Sequence, residues 1–436
     1  MENKYIFHII TANILWSFIP ILASELFESV SIILIIFLRF FISGIILFLI
    51  AIGLIIYNNN FTSNQDISLY NLLRLFNRPN KRFFNIRNIY YLFLLGFFGI
   101  IVHIIGYFLA LKITSIAFAM IGFQLSIIII AFYEHGVKLE KLDIFKGLYI
   151  LILIFCISII IFVKLGEEDF DLSSLFIGGF YIILFASCTS FLHIGIGRDP
   201  YSAQEILLIN QNKSYKIIRM LIKIALIFLF GIITLFPFIL IMYLIPIEMN
   251  LYLEITYFFQ DISKIFGILL RWEVIILIFF STVAPYILIF VANVNWNPYN
   301  LTYSQWSSIL TVIEPIGAIF FGVLLINESF PIQYLIIIIF LLIISILFRY
   351  AHETKSKVNA YILIHRKQGI LESLTTTLLK LEGVFSVQSL IGTYDLLLNV
   401  KTNSIRDLYS LINENLRRNE GIEDVELLFI DKIYKI

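Results

Sequence analysis

Charge is scarce in this chain. Only 14% of its 436 residues are Asp, Glu, Lys or Arg, against about 25% in an average soluble protein. Apolar residues make up 60% and mean hydropathy is +0.94, too much to hide inside one or two water-surrounded cores of this length. The shortage excludes an ordinary cytosolic enzyme and a disordered chain. The formal net charge of +1 gives no excess of either sign to recruit nucleic acid or another polyanion. Cysteine is nearly absent as well. Cys156 and Cys188 cannot build a disulfide framework, and the six histidines and two cysteines show no metal-ligand spacing. No glycine-rich phosphate loop or nucleophile elbow is present. No metal, cofactor or catalytic residue is therefore expected, and a polytopic membrane enzyme would need clustered reactive side chains at a helix end.

What is abundant is uninterrupted apolar sequence. A spanning helix needs about 20 such residues, and ten runs qualify: Tyr5–Ala23, Ser31–Tyr57, Ile89–Leu111, Ile113–Tyr133, Ile144–Lys164, Leu175–Gly195, Ile217–Leu244, Glu273–Asn293, Gln305–Ile326 and Ile332–Tyr350. They are runs rather than alternations, which excludes a closed barrel. With the N-terminus inside, 16 lysines and arginines fall on inner segments and four on outer ones (Lys112, Lys164, Lys264, Arg271). This bias places the N-terminus and the C-terminal end in the cytoplasm of a multi-pass cell-membrane protein. The basic loop from Arg74 to Arg87 serves as a topology determinant beside anionic headgroups.

The charge is also unevenly spread. From Lys355 to Ile436, 21 of 82 residues are charged, against 40 of the preceding 354. The expected domains are thus 1–350 in the membrane and 355–436 in water. Two halves of five spans, about 1–165 and 170–350, would have opposite orientation, an arrangement transporters use to place a substrate site at the repeat interface.

Ionisable residues inside a span are costly and mark function by default. Arg39 and Glu314 are the leading candidates, either as a midplane pair or as a substrate-facing cation and a proton-coupled carboxylate. Gln124, Trp16 and His103 are further substrate or coupling candidates, with His193 as a second relay candidate. Pro285 and Pro315 remove helix hydrogen bonds and suit either a break at a binding site or tolerated kinks. Glu140 and Glu328 read as capping or interfacial residues. Gly96, Gly99, Gly178 and Gly179 read as close-packing positions.

Several of these residues carry a resemblance. Trp16, Arg39-Phe40, Ala110-Leu111-Lys112-Ile113-Thr114-Ser115 and Glu314-Pro315 ahead of Glu328 resemble the drug/metabolite transporter superfamily, specifically EamA-like permeases, over roughly residues 5–350. The resemblance implies an all-α polytopic domain of ten helices in two inverted five-helix repeats, working by alternating access. The fourth helix departs from the pattern: it lacks the usual proline, with Gln124 and Leu125 near that place. The loops Asn58–Asn88 and Gly197–Lys216 are longer than the family's.

The tail alternates strand and helix signals. Val358–Arg366 has period two, Ile370–Leu381 carries a leucine stripe ended by Glu382-Gly383, and Val384–Ile391 and Tyr394–Lys401 flank Gly392-Thr393. Ser404–Arg418 is helical and Ile422–Ile433 is a last strand. The order βαββαβ is the ferredoxin-like α+β plan. Leu381-Glu382-Gly383-Val384, Gly392-Thr393-Tyr394-Asp395-Leu396 and Glu420-Gly421-Ile422-Glu423-Asp424-Val425 resemble the effector-binding domain of the Lrp/AsnC regulators. That likeness implies a homodimer formed through the sheets and a small effector, often an amino acid, near Gly392, Tyr394 and Asp395. The DNA-reading helices of that family are absent, so nucleic acid is not implied. The whole reads as a secondary transporter, an exporter or facilitator of a small polar metabolite such as an amino acid, regulated by a cytoplasmic tail. The alternative is a membrane receptor whose tail signals to partners.

Overall fold

The computed structural model describes residues 4–62, 67–76, 87–138, 144–165, 172–196, 205, 208–209, 212–245, 249–296, 301–326, 330–355, 358–367, 371–381, 383–402, 405–419 and 421–429. Glu140 and Glu328 lie outside the described residues. Ten helices among them are long and apolar enough to cross a membrane: Ile6–Phe27, Ile32–Phe61, Asn88–Ile113, Ile116–Tyr133, Ile144–Val163, Ser173–Gly195, Ser214–Leu244, Trp272–Asn295, Tyr303–Leu325 and Ile332–Thr354. We number them as spans one to ten. By packing, the chain divides into two compact units, residues 1–129 with 150–346, and residues 130–149 with 347–436.

In the first unit, several spans depart from regular helix, and sequence explains most of the departures. Span one breaks between Ile6–Ser17 and Ile19–Phe27. Span nine breaks between Tyr303–Leu310 and Ile313–Leu325. Span eight widens to π-type turns over Phe279–Val283. A proline follows each irregularity within a turn: Pro20, Pro315 and Pro285. Each lacks the N–H that would bond the carbonyl four residues earlier, and its ring crowds that carbonyl, so the regular ladder cannot continue. Span four breaks at Gln124, between Ile116–Phe123 and Leu125–Lys138, without any proline. There the chain tightens instead: Gln124 N–H bonds Ile121 O at 2.9 Å and Ile127 N–H bonds Gln124 O at 3.0 Å. Span three widens over Phe97–Val102.

Close approach of backbones holds these irregular helices together. A Cβ on Gly96 of span three would lie 2.5 Å from the backbone nitrogen of Gly231 in span seven, so any larger residue would force the two helices apart. Gly179 does not play this role; a Cβ there would meet nothing within 4 Å.

A helix that the apolar runs did not reveal, Met249–Asp261, lies between spans seven and eight. At 13 residues it is too short to cross a membrane. Its buried Glu254 accepts from Lys112 Nζ at 2.6 Å and from Ile32 N–H at 2.7 Å, and Asp261 accepts from Ser31 N–H at 3.0 Å. Two carboxylates thus satisfy the unpaired N–H groups at the start of span two and sit at the positive end of its dipole.

The second unit carries the tail. Its four strands, β1 (Val358–Arg366), β2 (Val384–Ser389), β3 (Leu396–Thr402) and β4 (Ile422–Phe429), form an antiparallel sheet of order β2-β3-β1-β4. This is the ferredoxin-like arrangement. Alternation drives it: Ala360, Ile362 and Ile364 of β1 and Leu396, Leu398 and Val400 of β3 all face one side. There they meet Leu374 and Leu378 of the helix Leu371–Leu379 and Leu408, Leu411, Ile412 and Leu416 of a second helix, Ile405–Ser410 continued by π-type turns over Leu411–Leu416. Every residue of that cluster comes from the tail. Gly383 has φ +94°, a left-handed conformation that glycine adopts without strain and that ends the preceding helix. Span ten runs on as one helix to Lys355, and β1 begins at Val358.

Candidate functional site

Span two carries Arg39 about 10 Å in from its start, at 1.5 Å per residue. The residue is only 4% exposed. Burying an unpaired charge is expensive, so its contacts decide whether it is a structural pair or a ligand. Nε donates to Thr282 Oγ1 at 2.8 Å and Nη2 reaches the Ser281 carbonyl at 3.5 Å. Both partners lie in the widened turn of span eight. Pro285 stands four residues after Ser281 and cannot use that carbonyl, which leaves it for Arg39. The Thr282 hydroxyl donates to Leu277 O at 2.8 Å, so its oxygen faces Arg39 as an acceptor. Nη1 has no protein partner.

Glu314 does not pair with Arg39. No hydrogen bond or ion pair is made by Glu314 among the described residues, which removes the midplane pair as a direct contact. The two remain within electrostatic range of each other, and Tyr107 of span three and Tyr286 of span eight are within range of both. The structure therefore draws spans two, three, eight and nine to one polar centre. Rings enclose it. Trp16 meets Tyr286 edge-on at 5.7 Å, Tyr286 meets Phe228 at 5.4 Å, and Phe228 meets Phe40 at 4.9 Å. Trp16 thereby connects to that centre through Tyr286.

Gln124 is fully buried at the break of span four, and neither Nε2 nor Oε1 has a protein partner. A buried amide left open in this way costs about 1–3 kcal/mol per unsatisfied group, a cost that a ligand can offset. His103 is more fully committed. Its Nδ1 bonds Gly99 O at 2.8 Å in the widened turn of span three, and its ring stacks on Phe185 at 4.9 Å. Tyr107 stacks on the same Phe185 at 4.6 Å and donates to Met120 Sδ at 3.0 Å. Sequence reasoning missed Thr282, Ser281, Tyr286 and Tyr107. Pro285 was the available signal: the carbonyl it leaves unbonded is the one that Arg39 meets.

In the tail, the Gly392–Asp395 turn joins β2 to β3. Asp395 Oδ2 accepts from Arg366 N–H at 2.9 Å, its Oδ1 lies 3.2 Å from Arg366 Nε, and His365 Nδ1 lies 3.2 Å from Oδ2. The Arg366 backbone bond, then the Arg366 side chain and the charges of Arg366 and His365, hold the carboxyl below its ordinary value of 3.8. The Tyr394 hydroxyl donates to Glu426 of β4, which pushes its pKa up. Gly392 has open space where a Cβ would be, and the neighbouring Ile391 is fully exposed. Of the three expected effector residues, two are thus bonded within the fold and one is free.

Comparison with known proteins matches both regions. Residues 3–163 match the EamA-like transporter family. Residues 359–436 match the Lrp/AsnC ligand binding domain. The first match contains Trp16, Arg39, His103 and Gln124; the second contains the whole Gly392–Asp395 turn. No curated protein matches. One solved structure, described only as "Crystal structure of protein", is 13% identical with a TM-score of 0.46, covering 81% of this chain and 98% of the other. The two family matches, with the ten apolar helices, support a multi-pass membrane protein of the transporter kind whose residues 359–436 match a ligand-binding domain.

Proposed function

We propose that the chain is a secondary transporter, an exporter or facilitator, for a small polar metabolite such as an amino acid. One observation carries the reading. Arg39 and Glu314 are held in the membrane-spanning unit within electrostatic range but without an ion pair, and the same unit holds interrupted helices and an amide with no protein partner. A structural ion pair would be closed. This centre has groups left over for a ligand that carries charge of both signs. Arg39, Gln124 and Glu314 face the substrate, Trp16 walls the path with Tyr286, and His103 orders span three beside it.

The irregularities support two repeats. Span three widens from its tenth residue and span eight from its eighth, and spans four and nine both break at their ninth. Matched weak points in two inverted halves give alternating access its hinges. The N-terminus and the tail lie in the cytoplasm. The tail dimerises through the sheet face opposite its helices, where Tyr361 and Leu363 of β1 stand beside Leu397 and Leu428. It binds an effector near Gly392, Tyr394 and Asp395 and biases the permease between states that bind that effector differently.

The test is counterflow in proteoliposomes holding the full chain, with the common L-amino acids as labelled probes. Substrate-dependent flux is expected. A folded protein that binds one of these compounds and moves none of them favours the receptor reading.

A further inference from the structure

We propose that Arg39 Nη1 seats the carboxylate of the substrate and that Thr282 is the residue that positions it. The inference rests on the transport reading above and names its substrate class.

Arg39 presents three nitrogens. Thr282 Oγ1 takes Nε and the Ser281 carbonyl takes Nη2, which fixes the plane of the guanidinium and leaves one nitrogen without a protein partner. Thr282 cannot turn away from this duty, because its own proton is committed to Leu277 O. Two further polar atoms without protein partners lie on the same elements. Ser43 Oγ is one helical turn beyond Arg39 on the same face of span two, and Ser281 Oγ is in the turn that holds Arg39; both residues are 1% exposed or less. One guanidinium nitrogen and two hydroxyls are donors, and the group they suit is an acceptor with negative charge.

The charge environment narrows the class. A free guanidinium would offer its two-nitrogen fork to a phosphate or a carboxylate; here the fork is closed and one nitrogen remains, which suits a monoanion. Glu314 lies within electrostatic range, and in its ionised form its carboxyl disfavours a dianion while favouring a cationic group elsewhere on the same molecule. A carboxylate with a nearby ammonium, as in an α-amino acid, satisfies both.

The experiment is counterflow and equilibrium binding by the full chain in proteoliposomes, using labelled L-amino acids and the corresponding amino-acid amides. The acid is expected to be recognised, and the amide, which lacks the carboxylate charge, to be recognised about tenfold or more weakly, the scale of a hydrogen bond to a charged group. Thr282→Val should raise the half-saturation concentration for the acid about tenfold with the maximal rate kept, should leave the amide unchanged, and should be rescued by Thr282→Ser. Ser43→Ala, which removes a hydroxyl with no protein partner, should keep stability and weaken acid binding. Equal recognition of acid and amide, or a Thr282→Val protein whose maximal rate falls for both alike, overturns the assignment. The two readings fail separately. Binding that is acid-selective and sensitive to Thr282→Val, without counterflow, retains the carboxylate seat and defeats transport. Counterflow of the amide as readily as the acid retains transport and defeats the seat.

Discussion

Gln124 is fully buried in the membrane-spanning unit with neither polar side-chain atom bonded to protein, and Arg39 of the same unit keeps one nitrogen without a protein partner. In the tail, Asp395 gives both carboxylate oxygens to Arg366 and Tyr394 gives its hydroxyl to Glu426. The same kind of sequence signal, polar residues at irregular backbone, thus has two outcomes. In a low-dielectric unit an unpaired polar group is costly, a cost that a bound ligand can offset. In water the same groups are more cheaply used as clasps. On the proposed reading the open groups of the membrane-spanning unit receive a molecule, whereas Asp395 and Tyr394 of the tail are already bonded within the chain and leave Gly392 and its exposed flank.

The largest expected effect tests the first half of that contrast. Glu314→Gln keeps the volume and removes the ionisable carboxyl. Coupled flux should fall to background while the protein inserts and folds, read by proton-dependent uptake and by size-exclusion chromatography of the solubilised protein. Normal proton-dependent uptake by this variant would show that the open carboxyl has no part in coupling.

Gln124→Leu comes next, because it separates function from stability. The amide has no protein bond to lose, so replacing it with an apolar group of similar size should leave thermal stability unchanged or raise it by about 1 kcal/mol. Flux should nevertheless fall about tenfold, the cost of one hydrogen bond to a charged or strongly polar ligand. A variant that transports normally would assign Gln124 to packing alone.

The ten spans and the βαββαβ tail were legible because each rests on local signal, an apolar run of sufficient length or a period of two. Arg39, Glu314 and Gln124 were legible because polar residues are conspicuous in such runs. Their partners were not. Thr282 lies 243 residues from Arg39, and a threonine or tyrosine in an apolar run gives no warning that its hydroxyl is committed. Pro285 and Pro315 pointed to broken helices, but span four breaks at Gln124 with no proline at all. Glu254 escaped for another reason. Its helix is too short to register as a span, and Lys112, counted from sequence only as an outer charge, turns out to be its ion-pair partner. Charge counting fixes sides, not contacts.

Asp395→Asn tests the other half of the contrast, in a fragment spanning 355–436 whose core is entirely its own. The substitution keeps the shape and weakens the clasp on Arg366, so the melting temperature at pH 7 should drop by a few degrees. Calorimetry of the same fragment with the common amino acids should show heat for at least one, and that heat should survive Asp395→Asn if the ligand meets Gly392 and its exposed flank rather than the clasp. Absence of heat from a folded dimer would reduce the tail to a dimerisation module.

The smallest effect is the dependence of that drop on pH. The Asp395 carboxyl is held below its ordinary 3.8 by Arg366 and His365 in the folded state, and it returns to that ordinary value on unfolding. A depressed folded pKa means that the unfolded state takes up the proton first as pH falls. The stabilisation is therefore complete well above pH 3.8 and is lost as pH falls below it toward the folded value. Wild-type and Asp395→Asn fragments should differ at neutral pH, and the gap between their melting temperatures should close as the pH drops past 3.8. The Asp395 side chain is half-buried, at 28% exposure, and still reached by solvent, so the gap should also narrow in high salt, which screens the Arg366 and His365 charges. A gap that widened on acidification would show that the clasp does not work through the ionised carboxylate.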